Sequence, residues 1–317
     1  MCIRLITFGF LLISSFFVGA TEFSVGLSVW SGYPDSIRGF KDGLASEGLI
    51  EGKHVRFIQG DVGADKNLQL RVAEKFKVEK VNLVYSLTTP GTTIVKSVMP
   101  ETTPIVFSIV TYPADSGLIE SFEYSGNNLV GTSNYIPLNH YVNLLKTILP
   151  TTKRVAIFHR KGEPNSKIQA SNMLRHLKRE GIIVIDIEAE NVQEVKAKAT
   201  ELIGNVDVFI TTTDTLMQSG GEDALIKVSL ANGIPILSSN KKGIEGGSSF
   251  GPVADFYVLG KMSGVKAAQI LRNKTPPTKL ETELQELPVI LVNRSSIKKL
   301  GITLSNDLLK TIHWANE

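Results

Sequence analysis

Two stretches of this chain repeat one another, and that duplication restricts the fold more than any other feature. Val81 to Ser97 reads VNLVYSLTTPGTTIVKS. Val81, Leu83, Val84, Tyr85 and Leu87 form a short apolar run with the length and β-branched content of a buried parallel strand. Thr88 and Thr89 can cap a following helix, and Pro90 suits its first turn, where a missing N–H is an orphan anyway. The predicted result is a strand whose carboxyl end carries unpaired backbone N–H groups. Open α/β sheets bind ligands there, and helix N-termini favour anionic groups. Val206 to Met217, VDVFITTTDTLM, repeats the pattern, with Asp214 as the potential cap.

The neighbours repeat as well. GKHVRFIQG from Gly52 and GIIVIDIEA from Gly181 lie upstream, each followed by a helical stretch. TPIVFSIV from Thr103 and IPILSSN from Ile234 lie downstream as proline-led buried strands. The units recur at offsets of roughly 125–130 residues, far longer than solenoid periods. Strands alternating with helices imply βαβ units with right-handed crossovers. The expected fold is therefore α/β, with two similar doubly wound parallel-sheet lobes whose polar strand ends face one another.

The 317 residues, 42% of them hydrophobic, suffice for two cores. Lys and Arg number 34 against 31 Asp and Glu, and they are scattered, whereas a nucleic-acid protein shows a basic stripe. Residues 1–20 read as a cleaved signal peptide. Arg4 supplies a minimal positive region, Leu5 to Val18 is almost wholly apolar, and Val18-Gly19-Ala20 has the small-residue pattern of a cleavage site. The run is short for a membrane span, which needs about 20 residues. The expected product is soluble and periplasmic. Cys2, the single cysteine, precedes the apolar run, so the mature chain offers no disulfide, thiol nucleophile or thiolate metal site. The expected division is residues 21–130 with 252–287 in an N-terminal lobe and residues 131–251 with 288–317 in a C-terminal lobe.

Enzyme signatures are scarce. No phosphate-binding Gly-x-x-x-x-Gly-Lys-Ser/Thr loop is present, and no Gly-x-Gly-x-x-Gly follows the first strand. His54, His140, His159, His176 and His313 are dispersed and lack metal-ligand spacing. Gly247-Ser248-Ser249-Phe250-Gly251 matches the nucleophile-elbow string of serine hydrolases. It follows no buried strand, however, and Pro252 stands where a helix should be under way. No catalytic residue, cofactor or metal is expected.

What remains is a set of polar and aromatic residues at strand ends. Trp30, Tyr33, Thr88, Thr89, Pro90, Thr111 and Tyr112 fall in the first lobe. In the second lobe the set comprises the 162–168 stretch GEPNSKI, with Asn165 and Ser166 singled out, then Thr213, Asp214, Ser239 and Asn240. Taken singly, such residues are commonly helix caps or packing. Together they converge on one crevice. Hydroxyls, helix N-termini and an acid suit a small zwitterion, its carboxylate near Thr89–Gly91 and its ammonium on Asp214.

The order of motifs resembles the extracytoplasmic solute-binding proteins of ABC importers with the type I periplasmic-binding-protein fold. The branch it resembles includes tryptophan- and other aromatic-amino-acid-binding proteins. The carriers are GFKDGLASEGLIEGKHV (39–55), DKNLQLRVAEKFKVEKVNLVYSLTTP (65–90), TPIVFSIVTYPADSGLI (103–119), GEPNSKIQ (162–169), VDVFITTTDTL (206–216), IPILSSN (234–240) and VNRSSIKKLGITLSNDLL (292–309). The resemblance implies three interlobe crossings, hinge closure on a small ligand, and an ABC permease of the inner membrane as partner to a monomer. Relatives usually read Thr-Asp-Pro at Thr111-Tyr112-Pro113 and Ser-Asp at Ser239-Asn240, so this chain lacks two acids beside the cleft. The alternative function is a periplasmic sensing subunit for a membrane receptor. A more distant one is a hydrolase using Ser248 or Ser249.

Overall fold

The computed structural model describes residues 23–30, 33–60 and 63–315. The expected signal peptide lies outside them. In the first lobe β1 (Phe23–Ser28) leads to α1 (Pro34–Ser46), β2 (Val55–Gln59) to α2 (Lys66–Val78), and β3 (Leu83–Leu87) to α3 (Thr89–Val98). β4 (Ile105–Ser108) is joined to β5 (Leu129–Ser133) by turns instead of a helix. The chain then crosses over. The second lobe holds α4 (Leu138–Ile148), β6 (Arg154–Arg160), α5 (Pro164–Arg179), β7 (Ile183–Ala189), α6 (Val192–Glu201), β8 (Val208–Thr211) and α7 (Glu222–Asn232). It continues through β9 (Ile236–Leu237), α8 (Lys241–Gly246) and β10 (Phe250–Val253). α9 (Phe256–Asn273) and β11 (Glu283–Leu284) return to the first lobe. β12 (Val289–Val292), α10 (Arg294–Lys299), α11 (Asn306–Leu309) and β13 (His313–Trp314) complete the second.

The first sheet has the order β11-β5-β4-β3-β1-β2 and is parallel throughout. The second runs β13-β12-β10-β9-β8-β6-β7. Its first five strands in chain order repeat the arrangement of the first sheet, but β12 pairs antiparallel with β10. β12 enters from the other lobe and not through a crossover helix, so nothing forces it parallel. β5 extends the first sheet to Ser133 and β10 extends the second to Val253, so both crossings fall a few residues past the expected boundaries at 130 and 251.

In each sheet the chain order reverses between two neighbours, β1 and β3 in the first and β6 and β8 in the second. A crevice opens outside the carboxyl ends of the strands at such a point. The residues that follow those four strands therefore hold the most favourable positions for a ligand.

Both sheets carry helices and apolar cores on both faces. In the first lobe Leu27, Phe40, Leu44, Tyr85 and Leu271 fill one face, and Val72, Phe76, Val84, Val95 and Phe107 the other. In the second lobe Leu145, Ile157, Met173, Leu177 and Val292 lie on one side, and Phe158, Val195, Phe209 and Leu225 on the other. Each such side chain contributes roughly 1.5–3 kcal/mol by leaving water. Tyr85 is stacked on Phe40 with ring centroids 3.8 Å apart, and its hydroxyl is 2.8 Å from the Ser36 hydroxyl. α9 is fixed to the first lobe by its contact with α1. A Cβ at Gly39 or Gly43 would run into backbone carbonyls of α9, and one at Gly260 or Gly264 into those of α1.

Candidate functional site

The ends of β1 and β3 form the first wall. Thr88 caps α3, its hydroxyl accepting the Gly91 N–H at 3.2 Å and its carbonyl the Thr92 N–H at 2.9 Å. Trp30, Tyr33, Thr88 and Ile109 have φ values of 51°, 61°, 70° and 58°. Non-glycine residues in this left-handed region are uncommon, and a β-branched one such as Ile109 is a true outlier. Strain of about 1–3 kcal/mol per residue is tolerated where the surroundings fix the conformation, and it clusters at ligand clamps. Trp30, Thr88 and Ile109 follow the carboxyl ends of β1, β3 and β4, and Tyr33 immediately precedes α1.

The ends of β6 and β8 form the opposing wall. Tyr33, Thr88, Thr89 and Ile109 from the first lobe meet Glu163, Asn165, Thr213, Asp214, Thr215 and Gln218 from the second around one small cavity. A larger cavity of about 320 Å³ opens beside it, lined by Trp30, Thr89, Pro90, Thr93 and Ile94 on one side and residues 160–164 on the other. A third, of about 340 Å³, lies at the other mouth of the cleft beside Tyr33, Gln218 and Phe256. Buried polar atoms converge here without a hydrogen-bond partner among the described residues. They are Trp30 Nε1, Thr89 Oγ1 and Asn165 Oδ1, on residues 1%, 2% and 4% exposed. Buried polar groups are normally paired, so atoms like these mark a surface shaped for something else. The volume of about 590 Å³ under Trp314 and β12 is larger, but its lining belongs to the second lobe and the adjoining Asp255.

Two acids belong to the second wall. The Asp214 carboxylate accepts the Met217 N–H at 2.8 Å on Oδ1, and the Thr212 hydroxyl at 2.7 Å and the Arg160 N–H at 3.0 Å on Oδ2. Burial pushes its carboxyl above the ordinary range, while these bonds act in the opposite direction. Glu163 accepts the Thr215 hydroxyl at 2.6 Å on Oε2, which also lies 3.7 Å from the Arg160 guanidinium. The Arg160 guanidinium in turn donates to the Thr215 hydroxyl. Burial, reinforced by Asp214, raises the Glu163 carboxyl from 4.5 to about 7.

Of the residues singled out from sequence, Tyr33, Thr88, Thr89, Asn165, Thr213 and Asp214 surround the central cavity, and Trp30 and Pro90 line its neighbour. The remaining five stand behind these walls and line none of the three cleft cavities. Thr111 donates to Asn134, and Tyr112 packs on Tyr135 with centroids 5.3 Å apart. Ser166 bonds the Arg160 and Glu163 carbonyls, Ser239 the Thr211 carbonyl, and Asn240 the Glu222 carboxylate. Glu163, Thr215, Gln218 and Ile109 were not singled out. Glu163 sits inside the GEPNSKI stretch, and its selection depends on which side chain of that stretch turns toward the other lobe.

The nucleophile-elbow string is structural. Ser248 and Ser249 are fully buried, Ser248 donating to Glu222 at 2.5 Å and Ser249 accepting the Ile236 N–H at 3.0 Å. Among the described residues no group of His, Cys, Asp and Glu is arranged to hold a metal ion. No described helix is long and apolar enough to cross a membrane.

Comparison with known proteins finds relatives over most of the chain. The tyrosine-binding protein of Clostridioides difficile is 29% identical over 276 residues, covering 87% of this chain and 79% of that protein. The L-Trp complex of an ABC domain from Streptococcus pneumonia superposes with a TM-score of 0.85 at 21% identity, covering 93% and 99% of the two chains. The ligand-free, open form of a Clostridium difficile substrate binding protein with adhesive properties gives 0.72 at 24% identity, covering 92% and 98%. Residues 31–314 match the family described as ABC transporter substrate binding protein, and the chain belongs to that family.

Proposed function

We propose that this substrate-binding protein is exported, works outside the cytoplasm, and takes an aromatic α-amino acid as its solute. The observation that carries the reading is the convergence of Trp30 Nε1, Thr89 Oγ1 and Asn165 Oδ1, two donors from one lobe and an acceptor from the other, on one cleft. Such a set is complementary to a group carrying both a carboxylate and an ammonium. The carboxylate meets Thr89 and the N-terminus of α3, where negative charge is favoured. The side chain extends into the cavity of about 320 Å³ against Trp30, Pro90 and Ile94. Relatives that bind tyrosine and tryptophan support the same class. A ligand touching both lobes stabilises their closed arrangement over the open one, and the closed form is what an ABC permease receives.

Mass spectrometry of small molecules released by denaturing protein purified from cells tests this, followed by calorimetric titration with L-tyrosine and L-tryptophan. The expected result is one amino acid per chain. A co-purified sugar, or heat of binding with neither amino acid, overturns the reading.

A further inference from the structure

We propose that Glu163, and not Asp214, receives the ammonium group of the ligand, so that capture of an amino acid requires Glu163 to be ionised. This rests on the amino-acid reading above. The two acids stand in one wall, and the hydrogen bonds around them separate their roles. Both Asp214 oxygens are committed to donors of their own lobe, one to the Met217 N–H and the other to the Thr212 hydroxyl and the Arg160 N–H. Turning that carboxylate to a ligand would break the cap of the segment that follows β8. Glu163 is held more loosely. Its Oε2 takes the Thr215 hydroxyl at 2.6 Å, while among the described residues Oε1 has only the Thr215 N–H, at 3.3 Å and shared with Oε2. A carboxylate accepts at about four lone-pair sites, so Oε1 keeps capacity for a further donor.

Position gives the same answer. Glu163 borders both the central cavity and the neighbouring one of about 320 Å³, as Thr89 does from the opposite lobe. Asn165 Oδ1, buried and unpartnered, borders the central cavity too. The first lobe thus offers donors, Thr89 Oγ1 and Trp30 Nε1, and the second offers acceptors, Glu163 Oε1 and Asn165 Oδ1. A zwitterion fits in one orientation, carboxylate toward α3 and ammonium toward α5.

Charge coupling follows from the neighbours of Glu163. Asp214 beside it disfavours ionisation and the Arg160 guanidinium favours it. Lys66 and Lys161 stand on the rim of the shared cavity, and Tyr33 faces it across the central one. His159, whose Nε2 lies 2.9 Å from Asp186, acts on Asp214 from behind. Burial dominates and holds the Glu163 carboxyl near 7. An arriving ammonium favours the carboxylate, so binding expels the proton wherever Glu163 is still protonated.

The test is calorimetric titration of wild-type protein and Glu163→Gln with L-tyrosine, L-tryptophan and 3-(4-hydroxyphenyl)propionate, which lacks the amino group, between about pH 5.5 and 7.5. Wild-type affinity for the amino acids is expected to fall roughly tenfold toward the acid end. Glu163→Gln is expected to lose about ten- to a hundredfold at the upper pH and to show a nearly flat profile. Its loss for the desamino analogue is expected to be far smaller. Wild-type affinity that does not change with pH overturns the inference without recourse to any variant. A variant that keeps wild-type affinity, or loses equally for all three probes, overturns it too and leaves the amino-acid reading standing. Wild-type protein that binds neither amino acid overturns both.

Discussion

Glu163 and Asp214 share one wall of the cleft and burial raises both carboxyls, but the hydrogen bonds around them differ. Glu163 is raised from 4.5 to about 7, so between those values the folded chain binds a proton that the unfolded chain has lost. Its contribution to stability is complete below about pH 4.5 and is lost as pH rises through 7. Glu163→Gln should therefore be more stable than wild type by about 1–3 kcal/mol at pH near 8, with the two melting together near pH 4.5. Thermal melts at both pH values check this, and a variant less stable at the higher pH would contradict it. In Asp214→Asn the hydrogen bonds are expected to decide the outcome, because three donors of its own lobe converge on that carboxylate. The amide brings a donor to face either the Met217 N–H or the Arg160 N–H and Thr212 hydroxyl, at a cost of about 1–3 kcal/mol, readable in a urea titration. At this scale the capping roles of Thr88 and Asp214 were legible, because a cap is a local pattern of one residue and the turn after it. Glu163 was not, because the neighbours that set its environment, Asp214 and Thr215, stand more than fifty positions along the chain.

Among the elements, the helices α1 and α9 show what is local and what is not. The stripe Gly39, Phe40, Gly43 and Leu44 sits at helical spacing, and residues 256–273 read as one amphipathic helix, so each is visible in the sequence. Their mutual packing is not, since Asp42 and Tyr257, hydrogen-bonded at 3.0 Å, stand 215 positions apart. The glycines exist for that contact. A methyl group on Gly264 would collide with the Phe40 carbonyl, which belongs to helix backbone and cannot give way alone. Gly264→Ala should cost about 1–3 kcal/mol by overpacking, measured as a lowered urea midpoint. An unchanged midpoint would show that α9 can slide on α1. Two other departures have a similar origin. The helix after Asp214 begins with an irregular wide turn, Met217–Gly221, in which Ser219 and Gly220 leave helical geometry, and β12 runs antiparallel. Neither leaves a mark in hydrophobic periodicity, which reports which face is buried and not the direction of a neighbouring strand.

For the whole molecule, the repeated strand-and-cap pattern was enough to predict two lobes with facing strand ends, because each sheet reverses its order at the strand that carries the pattern. The cleft follows from that arrangement. Its two walls come from different lobes, and among the described residues the chain passes between the lobes from β5 to α4, from β10 to α9 and from β11 to β12. A ligand held by Thr89 on one side and Glu163 on the other has its full set of contacts only when the walls are together. It shifts the population of closed molecules only by its difference in affinity for the two arrangements. Saturating L-tyrosine or L-tryptophan should then lower the radius of gyration in small-angle scattering and raise the melting temperature. At a hundredfold excess over Kd the stabilisation amounts to about 2.7 kcal/mol. The two readouts separate binding from closure. A higher melting temperature with an unchanged scattering profile would mean that the ligand enters lobes that are already together, and hinge closure would then have no part in capture.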